Sequence, residues 1–214
     1  MLTEYHTEIC QRALGASFSP RARDMIIQAN IAQDDLRGQI GHPEFHFDDN
    51  AFEQSLAYIE EQRRIVLDAL ARGADPAPAW AAFGRLTHTA QDFYAHSNYL
   101  RLWAEQFPQS ELPDPPEVDA LNPEISNHPQ IRSGRIYFRE VLAFIPALRP
   151  FTRRILPADA HAHMNLDYPE RSPLFPYVIA AAVQRTEYEY RSLAARIAIN
   201  LGAEALTRFR NRAD

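Results

Sequence analysis

The chain has 214 residues, of which 46% are hydrophobic and 11% aromatic. This is enough apolar material for one packed domain, and it argues against disorder. The formal net charge of −6 argues against a protein that binds nucleic acid through a basic surface. Cys10 is the only cysteine, so a disulfide framework and a thiolate metal site are excluded. We therefore expect any bound metal to rest on histidine and carboxylate side chains.

The apolar spacing predicts an all-α fold, and no alternating strand pattern is present. Ser19, Asp75 and Ser172 each precede a proline and are expected to cap helices, and Asn50 with Glu53 predicts a capping box. We expect the whole chain, 1–214, to form a single-domain helical bundle. The predicted helices cover 3–14, 20–36, 50–72, 77–104, 134–149 and 173–210.

A proline-rich stretch over 106–134 interrupts this pattern, because its six prolines exclude a long helix. Such a loop is expected to be either a lid or a passive surface insertion. The N-terminus has no apolar signal core, and the apolar runs are shorter than the roughly 20 residues of a spanning helix. The chain is therefore expected to be soluble and cytoplasmic.

The strongest functional signal lies in the predicted helix 77–104. His88, Asp92 and His96 fall at positions i, i+4 and i+8, so they form one stripe along a helix. This stripe predicts a metal site, in which the two oxygens of the central carboxylate can bridge two cations. The alternative is a solvated polar face, although Leu86 and Phe93 beside the stripe favour a buried one.

A second group precedes this helix. His46 stands between two phenylalanines, which favours an inward-facing imidazole that needs a partner such as a metal. Asp34 or Asp35 is expected to be a ligand or a general base, with helix capping as the alternative. Asp48 and Asp49 are expected to be caps.

A third group follows the loop. His163 and Asp167 repeat the i, i+4 spacing and are expected to act as a pair, with His161 as the substitute for His163. His6, one turn into the first helix, is a weaker candidate. The remaining histidines, His42 and His128, are expected to be loop residues.

Taken together, these residues resemble the zinc-dependent phospholipase C and single-strand nuclease fold. The stretch over 88–98 is similar to the H-x-x-Q-D-F-Y-x-H-S-N motif of its Het-C-like branch, and the spacing match extends over about 6–190. The resemblance implies an α-helical body with two or three zinc ions. The implied ligands are His46, His88, Asp92 and Asp35 (or Asp34) for the first zinc, His96, His163 and Asp167 for the second, and His6 with Asp92 for the third.

In phospholipases of this fold, the amino group of residue 1 completes the third site. Here Met1 stands only five residues before His6, so we do not expect its amino group to be placed in that way.

The stripe and the resemblance together predict an enzyme, a zinc-dependent phosphoester hydrolase of the phospholipase C or phosphodiesterase type. Asp92 would bridge two cations that activate a water, and Asp35 would accept its proton. Tyr94 and Asn98 are expected to line the pocket of a small-molecule or lipid phosphoester. Apolar and arginine residues over 138–154 are a candidate membrane patch, with a core helix as the alternative.

The alternative function is a metal-stabilised helical binding or interaction module without catalysis. In such a module the protein supplies every metal ligand and leaves no coordination position open.

Overall fold

The computed structural model describes residues 1–39, 41–73, 75–108, 111–137 and 156–212. Within these ranges helices predominate and no β-strand is present, so the all-α prediction is confirmed. The helices are α1 (Thr3–Leu14), α2 (Pro20–Ile31), α3 (Leu36–Gln39), α4 (Pro43–His46), α5 (Phe52–Arg72), α6 (Ala77–His96), α7 (Tyr99–Ala104), α8 (Pro123–Ser126), α9 (His161–Met164), α10 (Phe175–Leu201) and α11 (Ala203–Arg210). Short 3₁₀ turns cover Ala32–Asp34, Pro115–Glu117 and Pro169–Arg171.

Helix α6 lies at the centre of the fold and is covered by other elements on nearly every side. From Ala79 to His96 almost every residue is buried. Helices α2, α5 and α10 pack around it, and α1 lies across α2 and α10. At its start the indole of Trp80 donates a hydrogen bond of 2.7 Å to the carbonyl of Phe209, which ties α11 to the core.

Gly84 lets α2 approach α6 closely. A Cβ atom at this position would lie 2.3 Å from the carbonyl oxygen of Ile26 and 2.8 Å from the Cβ of Ala29, so a larger residue does not fit. Because α2 leads directly into the turn that carries Asp34, this helix crossing also sets where Asp34 lies relative to His88.

A buried ionic network joins α5 to α10. Glu189 is fully buried and accepts hydrogen bonds from the Nε of Arg185 at 2.7 Å and from the Nε of Arg63 at 3.1 Å. Both arginine side chains are largely buried as well. The two guanidinium groups and the carboxylate therefore compensate one another's charges, which would otherwise be costly to remove from water.

Three predicted helices end earlier than the sequence pattern suggests. The helix predicted over 20–36 gives way to a 3₁₀ turn after Ile31. The one predicted over 77–104 breaks at Ser97 and Asn98, because the amide of Asn98 donates to the carbonyl of Arg132 in the proline-rich stretch at 2.9 Å. The one predicted over 173–210 breaks at Gly202, whose φ of 85° lies outside the helical region.

The capping box predicted at Asn50 is wrong. Asn50 adopts a left-handed φ of 58°, and α5 begins after it without a side-chain cap. Its side-chain oxygen instead accepts a hydrogen bond of 2.8 Å from the amide of Ser133. By contrast, the cap predicted at Ser19 is confirmed, since its hydroxyl accepts from the amide of Ala22 at 3.2 Å.

The proline-rich stretch contains helical turns despite its prolines. Pro115 and Pro123 each occupy a first turn, where the missing N–H costs nothing. The stretch is anchored to the body by Tyr94 and Tyr99, whose hydroxyls donate to the carbonyls of Ala120 and Asp119 at 2.6 and 2.7 Å.

The helix predicted over 134–149 is not formed over 134–137. Its remainder lies outside the described residues, as does most of the membrane patch predicted over 138–154. Among the described residues, no helix is long and apolar enough to cross a membrane.

We expect Gly84→Ala to lower the free energy of unfolding by about 2 kcal/mol, because the added methyl group overpacks the α2–α6 crossing. The melting temperature should fall by roughly 4–8 °C in a thermal unfolding experiment. Gly73→Ala is the matched control, since its nearest neighbouring atom would be 3.9 Å from the new Cβ. Equal stability of the two variants would contradict the tight crossing.

We expect Glu189→Ala to destabilise the protein by about 3 kcal/mol, because it leaves two largely buried guanidinium groups without their carboxylate. Denaturant unfolding measures this loss. Glu187→Ala removes a carboxylate that pairs with an exposed arginine on the same helix and should cost less than about 0.5 kcal/mol. A loss at Glu189 no larger than that of the control would argue against the network.

Candidate metal centre

The predicted stripe on α6 faces the interior. His88 and Asp92 are fully buried and His96 is 5% exposed. The one-turn spacing points all three side chains into the space enclosed by α1, α4 and the 3₁₀ turn after α2. The solvated-face alternative is therefore excluded for this helix.

The first group of potential ligands consists of Asp34, His46, His88 and Asp92. Asp92 Oδ2 lies 2.9 Å from His46 Nδ1 and 3.1 Å from His88 Nε2, and the two imidazole nitrogens are 3.1 Å apart. Asp34 Oδ1 closes the group at 3.7 Å from His88 and 4.0 Å from His46. The 3₁₀ turn, α4 and α6 thus each contribute ligand atoms to the same candidate site.

The opposite oxygen of Asp92 faces α1. Asp92 Oδ1 lies 3.2 Å from His6 Nε2 and 3.0 Å from the backbone nitrogen of Met1. The Met1 nitrogen also lies 3.3 Å from His96 Nε2 and 3.4 Å from Asp167 Oδ1. The expectation that this nitrogen stays away from the site of His6 is therefore wrong, because α1 begins against the cluster.

The second group consists of Asp48, His96 and His161. Asp48 Oδ1 lies 3.3 Å from His96 Nδ1 and 3.8 Å from His161 Nε2. Gly134 makes this arrangement possible, since a Cβ there would lie 2.6 Å from the Cα of His161. Its amide also donates to the carbonyl of His96 at 3.0 Å, which fixes the two segments against each other.

Both groups suit a small divalent cation. A tetrahedral zinc with bonds of about 2.0–2.1 Å has ligand atoms about 3.3 Å apart, and the measured separations in the first group run from 2.9 to 4.0 Å. Several polar atoms of this region are buried without a hydrogen-bond partner. They are His6 Nε2, Asp34 Oδ2, His46 Nε2, Asp48 Oδ1, His88 Nδ1 and His96 Nδ1.

The pKa shifts of His88 and Asp92 favour the binding of a cation by the first group. Burial lowers the pKa of His88 well below its ordinary value, so its imidazole is neutral and keeps a free lone pair. Burial alone would raise the pKa of Asp92, but the Met1 amino group and the surrounding histidines bring it well below its ordinary value. The site therefore presents a carboxylate beside a neutral imidazole, as metal binding requires.

In the second group, burial opposes the charged form of His96, but Asp48 and Asp92 raise the pKa of its imidazole well above the ordinary value. A cation between Asp48 and His96 would take the place of that proton.

A layer of buried polar side chains supports these groups, and the sequence reading missed it. Gln91 is its hub: its Oε1 lies 2.6 Å from His6 Nδ1, and its Nε2 donates to the hydroxyl of Thr186 at 3.1 Å. Asn30 donates to Gln91 at 3.2 Å and to Thr87 at 3.1 Å. The signal available in the sequence was Gln91 itself, a polar residue directly before Asp92 of the stripe.

The choice of Asp35 is corrected to Asp34. The 3₁₀ turn points Asp34 towards His88, whereas Asp35 is exposed at the end of that turn. Asp35 is therefore not placed to take a proton at this site. Consecutive side chains of a 3₁₀ turn point about a third of a turn apart, and the sequence alone did not fix where that turn ends.

The choice of His163 is likewise corrected to His161. Helix α9 ends at Met164, so the i, i+4 pairing of His163 with Asp167 does not form, and His163 is exposed. Asp167 still reaches the cluster, with its Oδ1 3.2 Å from His96 Nε2. Asp48, expected to be a cap, lies instead in the second group.

The two residues predicted to line a substrate pocket both make hydrogen bonds to the proline-rich stretch, and Asn98 also lines a cavity beside α7. The fully buried Tyr94 donates its hydroxyl to Ala120 in the core. The Asn98 side chain donates to the carbonyl of Gln130 at 3.0 Å and accepts from the amide of Arg132 at 2.8 Å. Asn98 therefore holds the proline-rich stretch in place.

A family model described as the VWA7 N-terminal domain matches residues 5–123, more than half of the chain. The chain belongs to this family. The matched range contains His6, the whole first group, Asp48 and His96, whereas His161 and Asp167 lie beyond it.

The chain is 35% identical over 96 residues to von Willebrand factor A domain-containing protein 7 of Rattus norvegicus, covering 43% of this chain and 11% of that protein. The Homo sapiens protein of the same name is 36% identical over 81 residues, covering 38% of this chain and 9% of that protein. The chain thus spans only about a tenth of the curated relatives it matches. No solved structure matches it.

Membership of the VWA7 N-terminal domain family overturns the identification with the zinc-dependent phospholipase C, nuclease and Het-C-like fold. The predictions of a phosphoester hydrolase, and of catalytic roles for Asp35 and Asp92, fall with it. A His-x3-Asp-x3-His stripe follows from helix geometry wherever one helix face supplies ligands, so it does not establish the reaction. The comparisons favour the alternative, an interaction module.

We expect Asp34→Asn and His161→Ala each to reduce the zinc content of the purified protein by about one ion per chain, because each removes a group that faces a candidate site. Asp35→Asn and His163→Ala are matched controls at neighbouring exposed positions and should keep the full content. Elemental analysis decides between them. Zinc loss in Asp35→Asn and His163→Ala, but not in Asp34→Asn and His161→Ala, would instead support Asp35 and His163 as the ligands.

Proposed function

We propose that this domain is a metal-stabilised helical interaction module without catalytic activity. Zinc bound by Asp34, His46, His88 and Asp92 would join α6 to α4 and to the turn after α2. A second zinc near Asp48, His96 and His161 would fasten the segment around α9 to the end of α6. His6 would add to the site through the other oxygen of Asp92.

The observation that carries this proposal is the convergence of three buried ligand groups and the partly buried Asp34 at separations close to those of tetrahedral zinc. A zinc with four protein ligands has no position open for a substrate, and this arrangement is typical of structural rather than catalytic sites. Histidine and carboxylate ligands also suit zinc better than calcium or magnesium, which prefer oxygen ligands alone.

The comparisons support a modular role. The curated relatives are much longer, and the family is described as one N-terminal domain of such a protein. A domain of this kind contributes to the whole protein by holding a fixed surface, which the zinc ions would keep rigid. The partner is then a protein, and the expectations that nucleic acid is not a partner and that the location is cytoplasmic stay predictions.

We expect removal of zinc with a chelator to lower the melting temperature by roughly 5–10 °C, because a ligand held at about 100 times its dissociation constant adds about 2.7 kcal/mol to the stability of the folded state. Re-addition of zinc should restore the lost stability, and magnesium should not. The experiment is a thermal melt of the full chain with elemental analysis before and after dialysis. An unchanged melting temperature after complete zinc removal would refute the stabilising role.

A further inference from the structure

A second charged feature lies outside the metal centre, where three arginines gather beside α9. We call Arg101, Arg132 and Arg171 the arginine cluster. Arg101 and Arg171 both hold the α9 turn: Arg101 donates to the carbonyl of Met164 at 3.4 Å, and Arg171 donates to the side-chain oxygen of Asn165 at 2.6 Å.

The backbone of Arg132 lies against Asn98, just before α7. The amide of Arg132 donates to the Asn98 side chain at 2.8 Å, and Arg101 follows Asn98 within the first turn of α7. The proximity of the three charges has an electrostatic effect: burial, and then the charges of Arg132 and Arg171, lower the pKa of Arg101.

No carboxylate among the described residues forms an ion pair with the arginine cluster. This sets the cluster apart from Arg63, Arg64 and Arg185, which each pair with a glutamate. Arg101 and Arg171 donate only to uncharged oxygens of the α9 region in the described structure. Three like charges held together in a protein of net charge −6 favour an external anion.

A cavity of about 580 Å³ adjoins the cluster between α7 and the end of the proline-rich stretch. Leu102, Pro129 and Ile131 supply apolar walls, and Asn98, Gln130 and Arg132 supply polar ones. Glu105 also lines the cavity, so a long run of acidic residues would be repelled there. The three apolar lining residues therefore offer contacts to an apolar side chain, and the guanidinium of Arg132 suits a carboxylate beside it.

We propose that the arginine cluster and this cavity together bind an acidic peptide segment of a partner protein, with a carboxylate at the arginines and an apolar side chain in the cavity. This inference rests on the proposed role as an interaction module and names the chemistry of its partner. Guanidinium groups are suited to this task because their planar donors match a carboxylate.

The test uses the zinc-loaded full chain and a fluorescein-labelled octapeptide of alternating leucine and aspartate, with a leucine–asparagine peptide as the uncharged probe. Fluorescence anisotropy should show at least about tenfold tighter binding of the acidic peptide, weakened by added salt. Arg132→Gln should weaken that binding about fivefold without affecting the fold, because its exposed side chain makes no hydrogen bond within the described residues. Arg191→Gln makes the same change of charge at a 75% exposed position and should leave binding unchanged.

Equal affinity for the two peptides, or unchanged binding by Arg132→Gln, would overturn the proposal. Binding of inorganic phosphate without binding of the acidic peptide would overturn it too, and would assign the cluster to phosphate. Zinc content and melting temperature of the same samples separate the two ideas. Intact zinc without peptide binding rejects only this surface, whereas a chain that takes up no zinc rejects the metal-stabilised module.

Discussion

The burial of the Asp92 carboxylate is the constraint on which the rest of the structure depends. A fully buried anion is costly unless several partners compensate it. Here one oxygen faces His46 and His88, and the other faces His6 and the Met1 nitrogen. The N-terminal stretch with Met1 and His6, and α4 with His46, must therefore come to one place on α6. The packing of the other elements around α6 brings these partners to the Asp92 carboxylate.

Small residues and buried amides make this convergence possible. Gly84 allows α2 to lie against α6, and Gly134 allows the backbone of His161 to approach the end of the same helix. Gln91 then holds His6 from behind with a side chain that both accepts and donates. Such a supporting layer fixes the orientation of imidazole rings in metal sites.

The ligand stripe and the family finding together show what a local motif does and does not establish. Helix geometry imposes the spacing of His88, Asp92 and His96 on any helix that offers three groups along one face. Whether such a site is catalytic depends on an open coordination position and a placed base. Asp35 is exposed, and Tyr94 and Asn98 hold other parts of the chain. These three residues therefore do not occupy the positions that the predicted hydrolase mechanism gave them.

The sequence by itself determined the helical class, the helices α1 and α5 to within about two residues, and the placement of His88, Asp92 and His96 on one face of a helix. Helix periodicity is local, so residues within about one turn of each other carry this information. Tertiary structure decided between Asp34 and Asp35 and between His161 and His163, and it brought Asp48 and Gln91 to the site. Those choices depend on where short turns end and on which backbone segments a glycine allows to approach each other. Both are set by packing between segments far apart in the chain, which no local pattern records.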